Sequence, residues 1–75
     1  MLTGKRIVFT GELRTMKRAD ASAMAYLAGA SVKSCISKAV DVLVVGRKPG
    51  SKLEKARAYG IPTITENEFL AMFAS

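Results

Sequence analysis

Val42-Leu43-Val44-Val45 is an unbroken run of four apolar residues, three of them β-branched, closed by Gly46. With no polar position to turn toward water, such a run reads as a central strand covered on both faces, which commits the chain to a layered α/β arrangement. A second run has the same character: in Lys5-Arg6-Ile7-Val8-Phe9-Thr10-Gly11 the apolar centre ends abruptly on a small hydroxyl residue and a glycine. Ligands of open α/β sheets gather outside the carboxyl ends of the strands. Function is therefore expected at the Thr10-Gly11 exit.

The remaining elements fall between and after these strands. Lys17 to Ala28 reads as a helix from its alanine content and lack of glycine or proline; Ala21, Met24, Ala25 and Ala28 share one face, leaving Tyr26 and Leu27 outside it. Gly29 supplies a left-handed stop. Ser31 to Ile36 makes a weak second strand at an edge. Ser51 and Glu54 have the spacing of a capping box, so a helix is expected from Lys52 to about Tyr59, with Gly60 ending it. Ile61 to Ile64 forms a fourth strand in which Pro62 suits an edge or a strand start. Thr65 and Glu68 repeat the capping-box spacing, and Phe69, Leu70 and Phe73 give the last helix a core face.

Strand–helix–strand units favour a parallel sheet with helices on both faces. One link departs from this pattern. Parallel neighbours ordinarily need a crossover of about a dozen residues, and only Ser37 to Asp41 separates the second and third strands. Spacing alone predicts an antiparallel hairpin there.

The chain of 75 residues has room for one sheet and a few helices, so residues 1–75 are read as a single domain with a core over 4–74, expected to be cut from a larger protein. No run approaches the roughly 18 apolar residues of a membrane helix, and no signal-peptide pattern opens the sequence. An intracellular location is expected, with no membrane partner. Cys35 is the only cysteine and histidine is absent, which excludes a disulfide, a zinc cluster or histidine-based catalysis built from this sequence; Cys35 itself is expected to be buried and inert. No metal or cofactor is expected.

Twelve basic residues against six acidic ones give a net charge of +6, and residues 61–75 hold two of the acids and none of the bases. An anionic partner fits this excess. If the first and third strands are parallel neighbours, Thr10-Gly11 and the amino ends of the first two helices meet at one sheet edge. Helix starts offer unpaired N–H groups and a partial positive charge, glycine permits close approach, and Thr10 adds a hydroxyl. Lys52, expected as the first residue of its helix, sets a cation against the positive end of the helix dipole, a mismatch that a bound anion reverses. Arg18 raises the same question at the first helix and suits bidentate phosphate contact. Arg14, Lys17, Arg47, Lys48 and Lys55 are candidate auxiliary contacts along a nucleic-acid backbone. Lys5, Arg6, Lys33 and Lys38 belong to strand starts or opposite loops and are not expected to reach the pocket.

No catalytic constellation emerges. Gly46 to Lys52 is one residue short of a phosphate-binding nucleotide loop and has Ser-Lys in place of Lys-Ser or Lys-Thr. Asp41 is expected at the wrong end of the sheet, and Glu12 has no partner for paired acid–base work.

Gly4 to Leu13, then Ser37-Lys38, Val42 to Gly46, Gly50 to Ala56 and Gly60-Ile61-Pro62 together resemble a BRCT domain, most closely the single module of bacterial NAD-dependent DNA ligases and of the replication factor C large subunit. The likeness covers nearly the whole chain. It implies a three-layer α/β fold: a four-stranded parallel sheet in the order 2-1-3-4 flanked by three helices, overruling the hairpin. It also implies a noncatalytic recognition module of a DNA replication or repair protein. The family's phosphate contacts, a Ser or Thr with the following Gly after the first strand and a Lys opening the second helix, match Thr10, Gly11 and Lys52. The replication factor C branch adds an Arg matched by Arg18. Gly29-Ala30 departs from the family's frequent Gly-Gly pair, and Phe69 replaces its common Trp.

The resemblance implies DNA as partner, at 5′-phosphorylated ends or nicks, and a cytoplasmic or nucleoid location if the chain is bacterial. The alternative is a protein-interaction module that docks a protein, a phosphopeptide or another domain of the parent chain, with Tyr26 and Leu27 as its exposed apolar edge.

Overall fold

A computed structural model describes residues 2–73 of the chain; Ala74, the expected end of the domain core, lies outside the described residues. The elements follow as β1 (Arg6–Thr10), α1 (Arg18–Leu27), β2 (Ser31–Lys33), β3 (Val42–Val45), α2 (Ser51–Ala58), β4 (Thr63–Thr65) and α3 (Glu66–Ala71). The four strands form one parallel sheet in the order β2-β1-β3-β4. Ile7 stands opposite Val32 on one side and Val42 on the other, so β1 is central, as the two apolar runs require.

Alternation along the strands divides the core between two faces. Ile7, Phe9, Val42 and Val44 point to one side, where they meet Ala21 and Ala25 of α1 and Phe69 of α3. Val8 and Leu43 point to the other, against Ala56 of α2, Val40 and Ile61. The small alanines let α1 lie close to the sheet, and its expected face is the observed one: Tyr26 and Leu27 are 72% and 84% exposed. Phe69 is fully buried and meets the edges of Phe9 and Phe73 at ring-centroid distances of 5.3 and 5.1 Å. Phe69 thus anchors α3 to the sheet. Leu2, outside the expected core span, is only 5% exposed and joins the same cluster.

The hairpin predicted from spacing does not form. β2 and β3 are parallel and lie on opposite sides of β1, and β2 stops at Lys33 instead of Ile36. Residues 34–41 therefore run back across the sheet, with Ile36 and Val40 packed on the face that α2 covers. Eight extended residues reach about 26 Å, ample for strands of three to five residues. The usual crossover length assumes longer strands.

Three other expectations shift. β4 covers Thr63–Thr65, leaving Ile61 and Pro62 before it, because Pro62 offers a carbonyl to Leu43 N–H and has no N–H of its own to pair. The helix expected from Lys52 begins at Ser51, with Gly50 as N-cap at φ +70° and no side-chain cap. Cys35 is exposed, since β2 has already ended.

Candidate anion-binding site

The loops leaving β1 and β3 are stitched together. Gly46 N–H donates to the Thr10 carbonyl at 2.8 Å, and Glu12 and Arg47 exchange backbone hydrogen bonds of 2.9 and 2.8 Å in an antiparallel bridge. The bridge demands two glycines. Gly11 has φ +76°, and a β-carbon there would overlap the Arg47 carbonyl; at Gly46 it would stand 2.5 Å from the Glu12 carbonyl oxygen. The expected freedom of Gly11 is therefore used first by a neighbouring backbone. Its own N–H makes no hydrogen bond among the described residues.

With the gap between β1 and β3 closed, the open space lies on the other side of β1. Lys33 pairs with Val8, so β2 ends two residues before β1 does and leaves a notch at the carboxyl edge. A cleft of about 240 Å³ occupies it, lined by Arg18 and Ser22 of α1, Lys33 and Ser34 at the end of β2, and Lys52 of α2, over Phe9 and Val32. None of these residues is acidic.

Arg18 and Lys52 thus meet in one cleft, although their helices pack on opposite faces of the sheet. Arg18 Nη2 donates to the Gly11 carbonyl at 2.7 Å, which ties its guanidinium to the β1 exit. Lys52 is the second residue of α2 and is partly buried. Thr10 is 3% exposed, and its hydroxyl donates to the carbonyl of Pro49 in the turn before α2. That hydroxyl is engaged in tying β1 to the start of α2, and only a rotation would turn it toward a ligand. Neither α1 nor α2 has a side-chain cap, whereas α3 has the full reciprocal box: Thr65 Oγ1 accepts from Glu68 N–H and Glu68 accepts from Thr65 N–H.

The auxiliary candidates divide. Arg14 and Arg47 line a second depression, of about 210 Å³, beside Val45, Thr65 and Glu66. Lys17 shares a third with Arg18, Gly11 and Glu12. Lys48, in a left-handed conformation at φ +51°, and Lys55 are exposed and line none of the three. Lys33 corrects the sequence reading: placed among the distant bases, it stands in the cleft with Arg18 and Lys52. The parallel order was the available signal, because it brings the carboxyl end of β2 to the same edge as that of β1.

Glu66 was not singled out from the sequence. It is 6% exposed, and its carboxylate accepts from Arg14 N–H at 2.6 Å, Thr15 N–H at 2.9 Å and the Thr15 hydroxyl at 2.6 Å. The Thr15 hydroxyl chiefly, with the two N–H groups and the Arg14 charge, holds its pKa below the ordinary glutamate value against the opposing effect of burial. Glu66 therefore fixes the loop that carries the chain from Gly11 to Arg18.

The sequence profile of the BRCA1 C Terminus (BRCT) domain matches residues 1–73. A DNA ligase of Oleidesulfovibrio alaskensis is 58% identical over 69 residues, which make up 92% of this chain and 10% of that protein. A DNA ligase of Nitratidesulfovibrio vulgaris is 51% identical over 74 residues, 99% of the chain and 9% of the relative. One of Azorhizobium caulinodans is 52% identical over 68 residues, 91% of the chain and 9% of the relative. The chain spans about a tenth of the length of these relatives.

Proposed function

Since the chain belongs to the BRCT domain family, we propose that it is the noncatalytic DNA-binding module of a DNA ligase, recognising duplex ends or nicks through a 5′-phosphate held by Thr10, Gly11, Arg18 and Lys52. The observation that carries this reading is the meeting of Arg18 and Lys52, from helices on opposite faces of the sheet, in one cleft without an acidic wall. Two cations facing one space repel each other, and an anion between them converts that repulsion into binding energy. Thr10 and Gly11 do not line this cleft themselves; Arg18 joins it to them through its bond to the Gly11 carbonyl, and the uncapped start of α2 adds neutral donors. Ligation chemistry, with its NAD and adenylate, belongs to other parts of the parent protein.

A 5′-phosphorylated recessed duplex is expected to bind about tenfold tighter than its unphosphorylated twin, the increment of a charge-assisted hydrogen bond. Lys52→Glu removes the difference. Fluorescence anisotropy on the two duplexes measures both, and equal binding by the unmodified chain defeats the phosphate reading. With two or three phosphates neutralised, log affinity falls against log salt with a slope of about −2 to −3.

A second reading has its own observation. Leu27 is 84% exposed beside Tyr26, and an apolar depression joins Leu27 to Met24, Ala28 and Phe73, which suits docking of a protein or of another domain. It predicts a DNA-independent complex that survives Lys52→Glu and is lost in Leu27→Asp. Because Leu27 is exposed, its replacement leaves the melting temperature within a few degrees. Pull-down of the purified parent domains with both variants separates the two readings.

A further inference from the structure

The cleft holds a third cation that the phosphate reading leaves unused. Lys33 and Ser34 sit at the end of β2, across the notch from Lys52. Resting on the phosphate reading above, we infer that Lys33 and Ser34 form a second anion subsite, which takes the phosphodiester linking the first two nucleotides of the 5′-phosphorylated strand.

Three observations carry this inference. The cleft gathers three cations, Arg18, Lys33 and Lys52, one more than the roughly two negative charges of a terminal phosphate neutralise. Lys33 is also displaced from the first subsite: it lies one strand over and two residues back from Thr10, which by strand geometry separates their α-carbons by about 8 Å. Lysine is long enough to reach a phosphate at either end of that interval, so a second phosphate of the same strand meets Lys33 once the first is held by Arg18 and Lys52. Finally, Lys33 and Thr10 have the same side-chain parity, since Lys33 pairs with Val8, so both side chains leave the sheet on the α2 side, toward Lys52. A two-phosphate track selects a nucleic-acid strand over an isolated phosphate and gives the cleft a direction, from the terminal phosphate near Thr10 toward the β2 edge.

The test is a double-mutant cycle between protein and DNA. Three recessed duplexes serve as probes: one 5′-phosphorylated, one identical but with an uncharged methylphosphonate at the first internucleotide linkage, and one lacking the 5′-phosphate. For the unmodified chain, the methylphosphonate weakens binding about fivefold, as expected for one exposed ion pair. Lys33→Gln weakens binding of the natural duplex by about the same factor, shows no further loss with the methylphosphonate, and keeps its preference for the 5′-phosphate. If Lys33→Gln retains the full methylphosphonate penalty, the second subsite is wrong. If it instead loses 5′-phosphate preference, Lys33 shares the terminal phosphate and the two-site track is again wrong, while the phosphate reading survives. Indifference of the unmodified chain to the 5′-phosphate overturns the phosphate reading, and the track with it. Lys33 is exposed, so circular dichroism of Lys33→Gln is expected to match the parent spectrum.

Discussion

Gly11→Ala is expected to cost about 2–5 kcal/mol of stability, the sum of a left-handed conformation imposed on alanine at about 1–2 kcal/mol and steric displacement of a packed neighbour at about 1–3. The overlap is with the Arg47 carbonyl, backbone that cannot rotate away as a side chain would. Relief requires the two loops to part, breaking the Glu12–Arg47 exchange of hydrogen bonds. A domain of this size has only about 4–11 kcal/mol in total, at roughly 0.05–0.15 per residue. Thermal unfolding of the variant should therefore show a midpoint at least about 8 °C lower, at 4–8 °C per kcal/mol. An unchanged midpoint would mean that the bridge does not hold the two exits together.

The second large effect is expected at Glu66. Glu66→Gln preserves shape but replaces one acceptor oxygen by an NH2 group, which faces backbone or hydroxyl donors of Arg14 and Thr15. A buried donor left without its charged acceptor costs about 1–3 kcal/mol. Acid should reproduce this loss in the unmodified chain. The folded-state pKa of Glu66 is lowered, so the unfolded chain takes up the proton more readily, and stability falls as pH falls. The contribution is complete above the unfolded-state value near 4.3 and disappears as pH drops through the lower folded-state value. Urea unfolding of both proteins from pH 7 to pH 3 isolates it: their stability difference should shrink in the acid range. A difference constant with pH would assign the effect of the substitution to packing alone.

Both effects concern contacts that no local pattern announces. Val42–Val45 and Ile7–Phe9 were legible as buried strands because unbroken apolar character carries its own meaning. The α1 face was legible because three-and-four spacing does the same. Thr65 and Glu68 form the capping box their spacing predicts, whereas Ser51 and Glu54, equally spaced, do not. The difference lies one residue earlier: Gly50 makes the turn at φ +70°, so Ser51 is already helical and cannot serve as cap. Lys33 was misplaced because an alternating polar stretch gives no sign of where a short edge strand stops. Glu66 read as an acid suited to a helix start, and its loop partners lie 51 and 52 residues away. Arg18 and Lys52 were legible as candidates through charge at helix starts. Their shared cleft required the notch left by β2, which is a consequence of unequal strand lengths.

The same short edge strands have a consequence for behaviour in crowded solution. A sheet edge is a template on which foreign strands can grow, and long flat edges invite aggregation. Here β2 and β4 each offer three residues, one ending on a lysine and the other preceded by a proline and running directly into α3. A neighbouring chain finds no more than three positions on which to zip before the template ends, so the sheet is terminated on both sides by its own construction.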